Sequence, residues 1–353
     1  MWVYIIIFLF LIIGLSYENR NNTNKLLGFA FFLIFLLFAL RSYNVGSDTN
    51  SYILEYIWGT SDLRSIDKGF AFLTGAIYNF GFPPRGFLII ISFIIVVPVY
   101  LFIRRWTPDN RMFITILYMT IGTMAFNLTG MRQSIAISVI LSSLIIISYL
   151  KRPIFQYIVL VLSIALAVPF HYSSQICVLF LPLLYLSKRK FIFRNKLIWI
   201  CLCVPIVGLF LGSYYGIVIE RFMVAKYENY EANFGDANII SYFIIPYTMF
   251  IYVTWLLSKA KEIGVVERFS YLCALFYTFF ASASVYMPIL ARFEYYFSLQ
   301  FMCLIGCLTA RLPKKERSLV LYGITAICIA FFLIVVPGGT LSIDNYMFGT
   351  DIF

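Results

Sequence analysis

Runs of mostly apolar residues, each close to the roughly 20 that a helix needs to cross the hydrocarbon core of a bilayer, recur along this chain from its first residue to Pro337. Inside lipid every backbone N–H and C=O must find a partner within the protein, which leaves only helices and closed barrels. The even alternation of apolar and polar residues that marks barrel strands is absent, so helices are expected. With 62% hydrophobic and only 12% charged residues and a mean hydropathy of +0.90, such a chain could not present a soluble fold to water.

The runs predict helices near 1–15, 26–40, 86–103, 112–128, 131–150, 153–168, 172–187, 197–213, 239–257, 268–284, 293–310 and 318–336. The expected fold class is therefore an all-α polytopic membrane protein of about 12 transmembrane helices, within a range of 11–14, as one transmembrane domain over 1–353. The first run, MWVYIIIFLFLIIGL, has no basic residues ahead of it and no small-residue cleavage site before Ser16, and it reads as a retained span. The segment 69–84 (GFAFLTGAIYNFGFPP) is apolar but short and glycine-rich, which suits an interfacial or re-entrant piece.

The net charge of +11 and pI near 9.2 raise the question of nucleic acid, and the placement of the basic residues answers it. They lie between the spans. Alternate loops collect 19 of the 27 lysines and arginines, and the other loops hold only Arg41, Arg64, Lys68, Arg85, Arg132, Arg221, Lys226 and Arg292. Basic residues accumulate on the cytoplasmic side, so both termini and the loops 41–85 and 214–238 are expected outside the cytoplasm. Topology accounts for the charge, and no nucleic-acid partner is expected. The seven cysteines fall in or beside apolar runs, without a CxxC pair and with one histidine in the chain, so no metal site is expected.

Four groups stand out among the scarce polar residues of the outer side. In Arg41-Ser-Tyr-Asn-Val-Gly46-Ser-Asp48-Thr-Asn-Ser-Tyr52, Gly46 permits a sharp turn and Asp48 can cap a short helix from Thr49. Arg41 closes a span, where its charge suits the helix dipole, so an interfacial anchor is the alternative to a binding role. In Gly130-Met-Arg132-Gln133-Ser-Ile-Ala136 an arginine opens a span, at the helix end that disfavours a cation; a bound anion would reverse that penalty, and an anchor role is the alternative. Pro169-Phe-His171-Tyr172-Ser-Ser-Gln holds the chain's one histidine, either structural or hydrogen-bonded to a sugar or phosphate. In Ala291-Arg292-Phe-Glu294-Tyr295-Tyr296, helical spacing puts Arg292 beside Tyr295 and Tyr296 and turns Glu294 away; the tyrosines suit a sugar ring or an ordinary aromatic belt. The loop 214–238 adds Glu220, Arg221, Lys226, Glu231 and Asp236 among aromatics, a mixture that would suit a carbohydrate but suits a solvated loop better.

No DxD pair, GxGxxG, Walker sequence or GxSxG elbow is present. What remains is a metal-independent reaction, without cofactor, on an anionic substrate held in the membrane.

The order VGSDTNSY, MRQSIA, HYSS and RFEYYF along this topology resembles the EpsG-like branch of Wzy-type polysaccharide polymerases, over nearly the whole chain. The resemblance implies a GT-C-like membrane glycosyltransferase of the bacterial plasma membrane. It implies that polyprenyl diphosphate-linked oligosaccharide repeat units are joined at the outer leaflet, into O-antigen, capsule or exopolysaccharide, with a chain-length regulator as a candidate partner. On that reading Arg132 and Arg292, with Arg41 as a third, stabilise the departing diphosphate; Tyr52, Gln133, Tyr172, Tyr295 and Tyr296 line the substrate. Asp48 is the first choice and His171 the second for the base that takes the acceptor proton. Two rivals stay open. A flippase for the same lipid-linked units would want polar groups at the membrane midplane, and a membrane O-acyltransferase would want a catalytic histidine.

Overall fold

Helices with apolar surfaces make up nearly all of the computed structural model, which describes residues 2–21, 25–59, 67–189, 195–222, 239–260, 262–335, 343 and 346–349. Four of them are long and apolar enough to cross a bilayer: Trp2–Arg20, Pro84–Trp106, Ile240–Lys259 and Lys314–Val335. A bent pair, Arg111–Thr120 and Thr123–Thr129, makes a fifth if taken as one broken span, and five shorter apolar helices accompany them. The described residues are thus essentially all helical, as suits a polytopic membrane protein. Among the described residues the strand-like contact is an isolated antiparallel bridge between Arg41 and Phe348.

Contacts divide the chain into two compact units, one of Met1–Val178 with Ala310–Phe353 and one of Leu179–Thr309. The first contains α1 (Trp2–Asn21), α2 (Leu27–Ala39), α3 (Thr49–Ile57), α4 (Lys68–Asn79), α5 (Pro84–Trp106), α6 (Arg111–Thr120), α7 (Thr123–Thr129), α8 (Met131–Ile147) and α9 (Pro153–Ala167). The second contains α10 (Phe180–Ser187), α11 (Asn195–Ile200), α12 (Cys203–Phe222), α13 (Ile245–Lys259), α14 (Val265–Ser284) and α15 (Ala291–Thr309), and α16 (Lys314–Val335) returns to the first.

In the first unit α5 lies between α2 and α8, α9 packs on α8, and α1 and α16 pack on α6. The run expected as one span over 112–128 is broken, with a bend of 58° between α6 and α7. Gly122, at φ +87°, takes the left-handed conformation that lets the chain turn there. A break at membrane depth leaves polar backbone and side chains that lipid cannot satisfy. Here Asn127 donates to Tyr118 Oη (3.0 Å) and Ser134 Oγ donates to Asn127 Oδ1 (3.0 Å), which ties α6, α7 and α8 through three buried side chains.

In the second unit α14 is the central helix, packed by α12, α15 and α10. Gly208 and Gly212, one turn apart on α12, face the backbone of α14. A Cβ at Gly208 would lie 2.5 Å from the Phe279 carbonyl oxygen and one at Gly212 2.5 Å from that of Ala283. Small residues at this spacing are how membrane helices gain close contact without a hydrophobic driving force. The loop expected from 214 begins later, since α12 continues to Phe222; 223–238, with Lys226, Glu231 and Asp236, lie outside the described residues. The span expected to open at Tyr172 starts as a 3-10 turn, Tyr172–Leu179, before α10.

Candidate functional site

One end of the first unit gathers the C-terminal ends of α2, α7 and α9, the N-terminal ends of α5 and α8, and the short helices α3 and α4. Gly46, at φ +91°, makes the turn that Arg41 to Tyr52 required, and a side chain there would meet Thr49 Oγ1 and the Leu128 carbonyl. Asp48 stands at the cap position of α3, but its carboxylate does not cap. Its own backbone is helical rather than extended, so the side chain points outward, where Oδ1 accepts from Ser47 Oγ at 3.3 Å. The expected cap is corrected on that ground.

Arg41 is 1% exposed. Its Nη1 donates to the Phe38 carbonyl (2.6 Å) and its Nη2 to that of Leu128 (3.0 Å), so one guanidinium satisfies the last turns of two helices, α2 and α7. Burial pushes this group down to about 10, still charged at neutral pH. Arg85 continues the clamp by donating to the Arg41 carbonyl at 2.6 Å. The tail crosses here as well: Ser42 N donates to Met347 O (2.8 Å) and Gly349 N to Leu40 O (2.9 Å). Trp2 lies against Phe348, with ring centroids 6.0 Å apart, so the start of α1 and the C-terminal segment share this end with Arg41.

Arg132 opens α8 at the same end and has the anion that its helix position calls for. Its Nη1 lies 3.2 Å from Asp67 Oδ2, its Nε donates to Tyr52 Oη at 3.3 Å, and its guanidinium lies over the Tyr52 ring, 5.5 Å from the centroid. The Arg132 side chain is 37% exposed and that of Asp67 only 9%. Nε and Nη1 are thus anchored, while Nη2 has no partner among the described residues. Glu55, exposed on α3, acts electrostatically on both Arg132 and Tyr52. Burial pushes the Tyr52 phenol up from its ordinary value and Arg132 opposes that shift, so the phenol stays protonated at neutral pH and can donate.

Aromatic packing holds α3 and α4 against α5. Tyr56 stacks on Phe87 (4.6 Å), Tyr52 contacts Phe70 (5.4 Å), and Tyr56 Oη donates to the Phe82 carbonyl. Gly69 N donates to Pro169 O at 2.7 Å, which docks the start of α4, two residues past Asp67, on the turn before His171. A Cβ at Gly69 would lie 2.9 Å from Pro169, so only glycine allows that approach. His171 Nδ1 lies 2.6 Å from Ser173 Oγ and accepts from the Ser173 amide at 3.3 Å. Tyr172 is 66% exposed and Gln133 is buried.

A family model described as the EpsG family matches residues 24–347. The chain belongs to the EpsG family. The resemblance carried by VGSDTNSY, MRQSIA, HYSS and RFEYYF is borne out, and membership points to a polysaccharide-polymerase-like role on a lipid-linked oligosaccharide in a multi-pass membrane setting. No curated protein and no solved structure is matched by the chain.

Of the residues that this EpsG-family chain offered as site candidates, Arg132, Tyr52 and Asp48 come together around α3, with Asp48 one helical turn before Tyr52 (Tyr52 N donates to Asp48 O at 3.2 Å). Asp67 and Glu55 belong with them and were not singled out in the sequence. Arg292, Tyr295 and Tyr296 lie in the second unit, at the start of α15. Arg292 is half-buried there, whereas Tyr295 and Tyr296 are buried within the unit and present no open ring face to a sugar. Glu294 turns inward, away from Arg292, and its Oε2 has no partner among the described residues. Among the described residues no three His, Cys, Asp or Glu side chains gather as a metal would require.

Proposed function

We propose that this protein is a polysaccharide polymerase that joins polyprenyl diphosphate-linked repeat units at the outer leaflet of the bacterial plasma membrane by metal-independent glycosyl transfer. The observation that carries the reading is Arg132: a guanidinium fixed on two of its nitrogens by Asp67 and Tyr52, open at Nη2, at a helix N-terminus in a chain of the EpsG family. An arginine held in this way presents the N–H groups of Nη2 to a phosphate, and the first turn of α8 adds its dipole. The count of basic residues supports an outer-side position for this end.

In the proposed step the acceptor hydroxyl oxygen attacks the anomeric carbon of the growing chain. The bond from that carbon to the diphosphate breaks, and polyprenyl diphosphate leaves with the electron pair. Arg132 takes the charge that develops on the diphosphate, and the Tyr52 hydroxyl, kept protonated, donates to it. Asp48, exposed one turn from Tyr52, accepts the hydroxyl proton. Asp67 keeps the guanidinium in register when no diphosphate is present.

A flippase needs none of this leaving-group chemistry. Arg132→Ala should abolish long polymer in cells while single lipid-linked repeats accumulate. A normal ladder of chain lengths from that variant would overturn the anion-site reading.

A further inference from the structure

The other end of α5, about 34 Å away along a 23-residue helix, carries a second cationic site. A cavity of about 590 Å³ opens there between the end of α5, the start of α6 and the end of α8. Its volume lies within the roughly 300–1,000 Å³ range of ligand sites. Arg104, Arg105 and Arg111 line it, with Leu101, Ile145 and Tyr149 as the apolar wall.

Three guanidiniums in one cavity repel one another unless something anionic joins them, and among the described residues no carboxylate lies within ion-pair distance of any of the three. Arg105 donates from Nε to Ser148 Oγ (2.7 Å) and from Nη2 to Ser148 O (3.0 Å), and lies over the Tyr149 ring at 4.0 Å. Arg111 donates to the carbonyls of Thr107 (2.7 Å) and Arg104 (2.8 Å), and Arg104 to Tyr100 Oη (3.3 Å). Every partner is neutral, and each guanidinium, with five N–H donors, uses at most two. Two carboxylates are near. Glu18 accepts from the backbone amides of Arg111 and Met112, both at 2.9 Å, which caps α6, and its charge acts on the Arg111 guanidinium without an ion pair. Asp109 acts on Arg111 only from beyond ion-pair distance. The wall beside the arginines is apolar and open: Leu101 is 40% and Tyr149 65% exposed.

We propose that this cavity binds the phosphate of an anionic bilayer lipid, with Arg104, Arg105 and Arg111 on the headgroup and the acyl chain along Leu101 and Ile145. Arginines match phosphate oxygens in pairs, and basic pockets between helices at a membrane surface are suited to such headgroups. The site is independent of Arg132.

The full-length protein, purified and delipidated in a neutral detergent, is titrated with phosphatidylglycerol or phosphatidylcholine and followed by native mass spectrometry and thermal unfolding. Phosphatidylglycerol should bind at least about tenfold more tightly than phosphatidylcholine and raise the unfolding midpoint. Both effects should fall at least about tenfold in Arg104→Gln/Arg105→Gln, at two exposed positions, and should persist in Arg132→Gln. Unchanged phosphatidylglycerol binding in a folded Arg104→Gln/Arg105→Gln protein would overturn the site. Should free glycerol phosphate bind as tightly as the lipid, the bilayer would be overturned as the source of the phosphate.

Discussion

Replacing Arg41 by Gln separates a structural arginine from a substrate-binding one. Both Nη atoms of Arg41 are committed to carbonyls, Phe38 O at 2.6 Å and Leu128 O at 3.0 Å, in a side chain 1% exposed. A buried acceptor left without its donor costs about 1–3 kcal/mol, so losing both bonds amounts to about 2–6 kcal/mol. Glutamine restores at most one of them. Removing the charge returns part of the loss, because burying a guanidinium is itself unfavourable, and a net destabilisation of about 2–4 kcal/mol is expected. Arg41→Lys, which keeps the charge but loses the fork, should lie between the variant and the wild type. Thermal unfolding of the purified protein in detergent, with size-exclusion profiles before heating, measures this directly. A wild-type unfolding midpoint combined with lost polymer would refute the reasoning and place Arg41 on the substrate.

Two further changes test other parts of the account. Gly212→Leu on α12 drives a large side chain into the Ala283 backbone of α14; overpacking of this kind costs about 1–3 kcal/mol or more, and the unfolding midpoint should fall by several degrees, whereas the same change at Gly323, which has open space around it, should leave it unmoved. Asp48→Asn should slow elongation about a hundredfold without changing retention of the lipid-linked substrate, since a general base contributes roughly 10²–10⁴ in rate; unchanged elongation would pass that role to another group.

Which parts of this protein were legible in its sequence follows from how local the responsible forces are. Apolar helices were readable because hydropathy is a property of a continuous run, although only four to five of the described helices, against the twelve spans expected, are long and apolar enough to cross a bilayer. The helix expected at 86–103 occupies Pro84–Trp106, with proline at its first turn, and that expected at 153–168 occupies Pro153–Ala167. The break inside 112–128 was not readable: both halves are apolar, and it rests on the left-handed Gly122 and on a buried Tyr118–Asn127–Ser134 network that only the fold assembles. Arg41 does serve helix C-termini, and Arg132 does acquire an anion. The identity of that anion was out of reach, because Asp67 lies in a polar loop 65 positions before Arg132 and no spacing rule links them. Asp48 failed as a cap because capping depends on an extended backbone at the cap residue, which residue type alone does not determine.

The central claim is that the open edge of Arg132 takes the diphosphate of a lipid-linked sugar while the protein elongates a polysaccharide. The most direct measurement places purified wild-type and Arg132→Gln protein in liposomes with defined polyprenyl diphosphate-linked repeat units and scores the lipid-linked products by chain length. The account predicts elongated product and released polyprenyl diphosphate from the wild type, and unjoined repeats from the variant. Translocation of the units without elongation by the wild type, or equal elongation by both proteins, would contradict it.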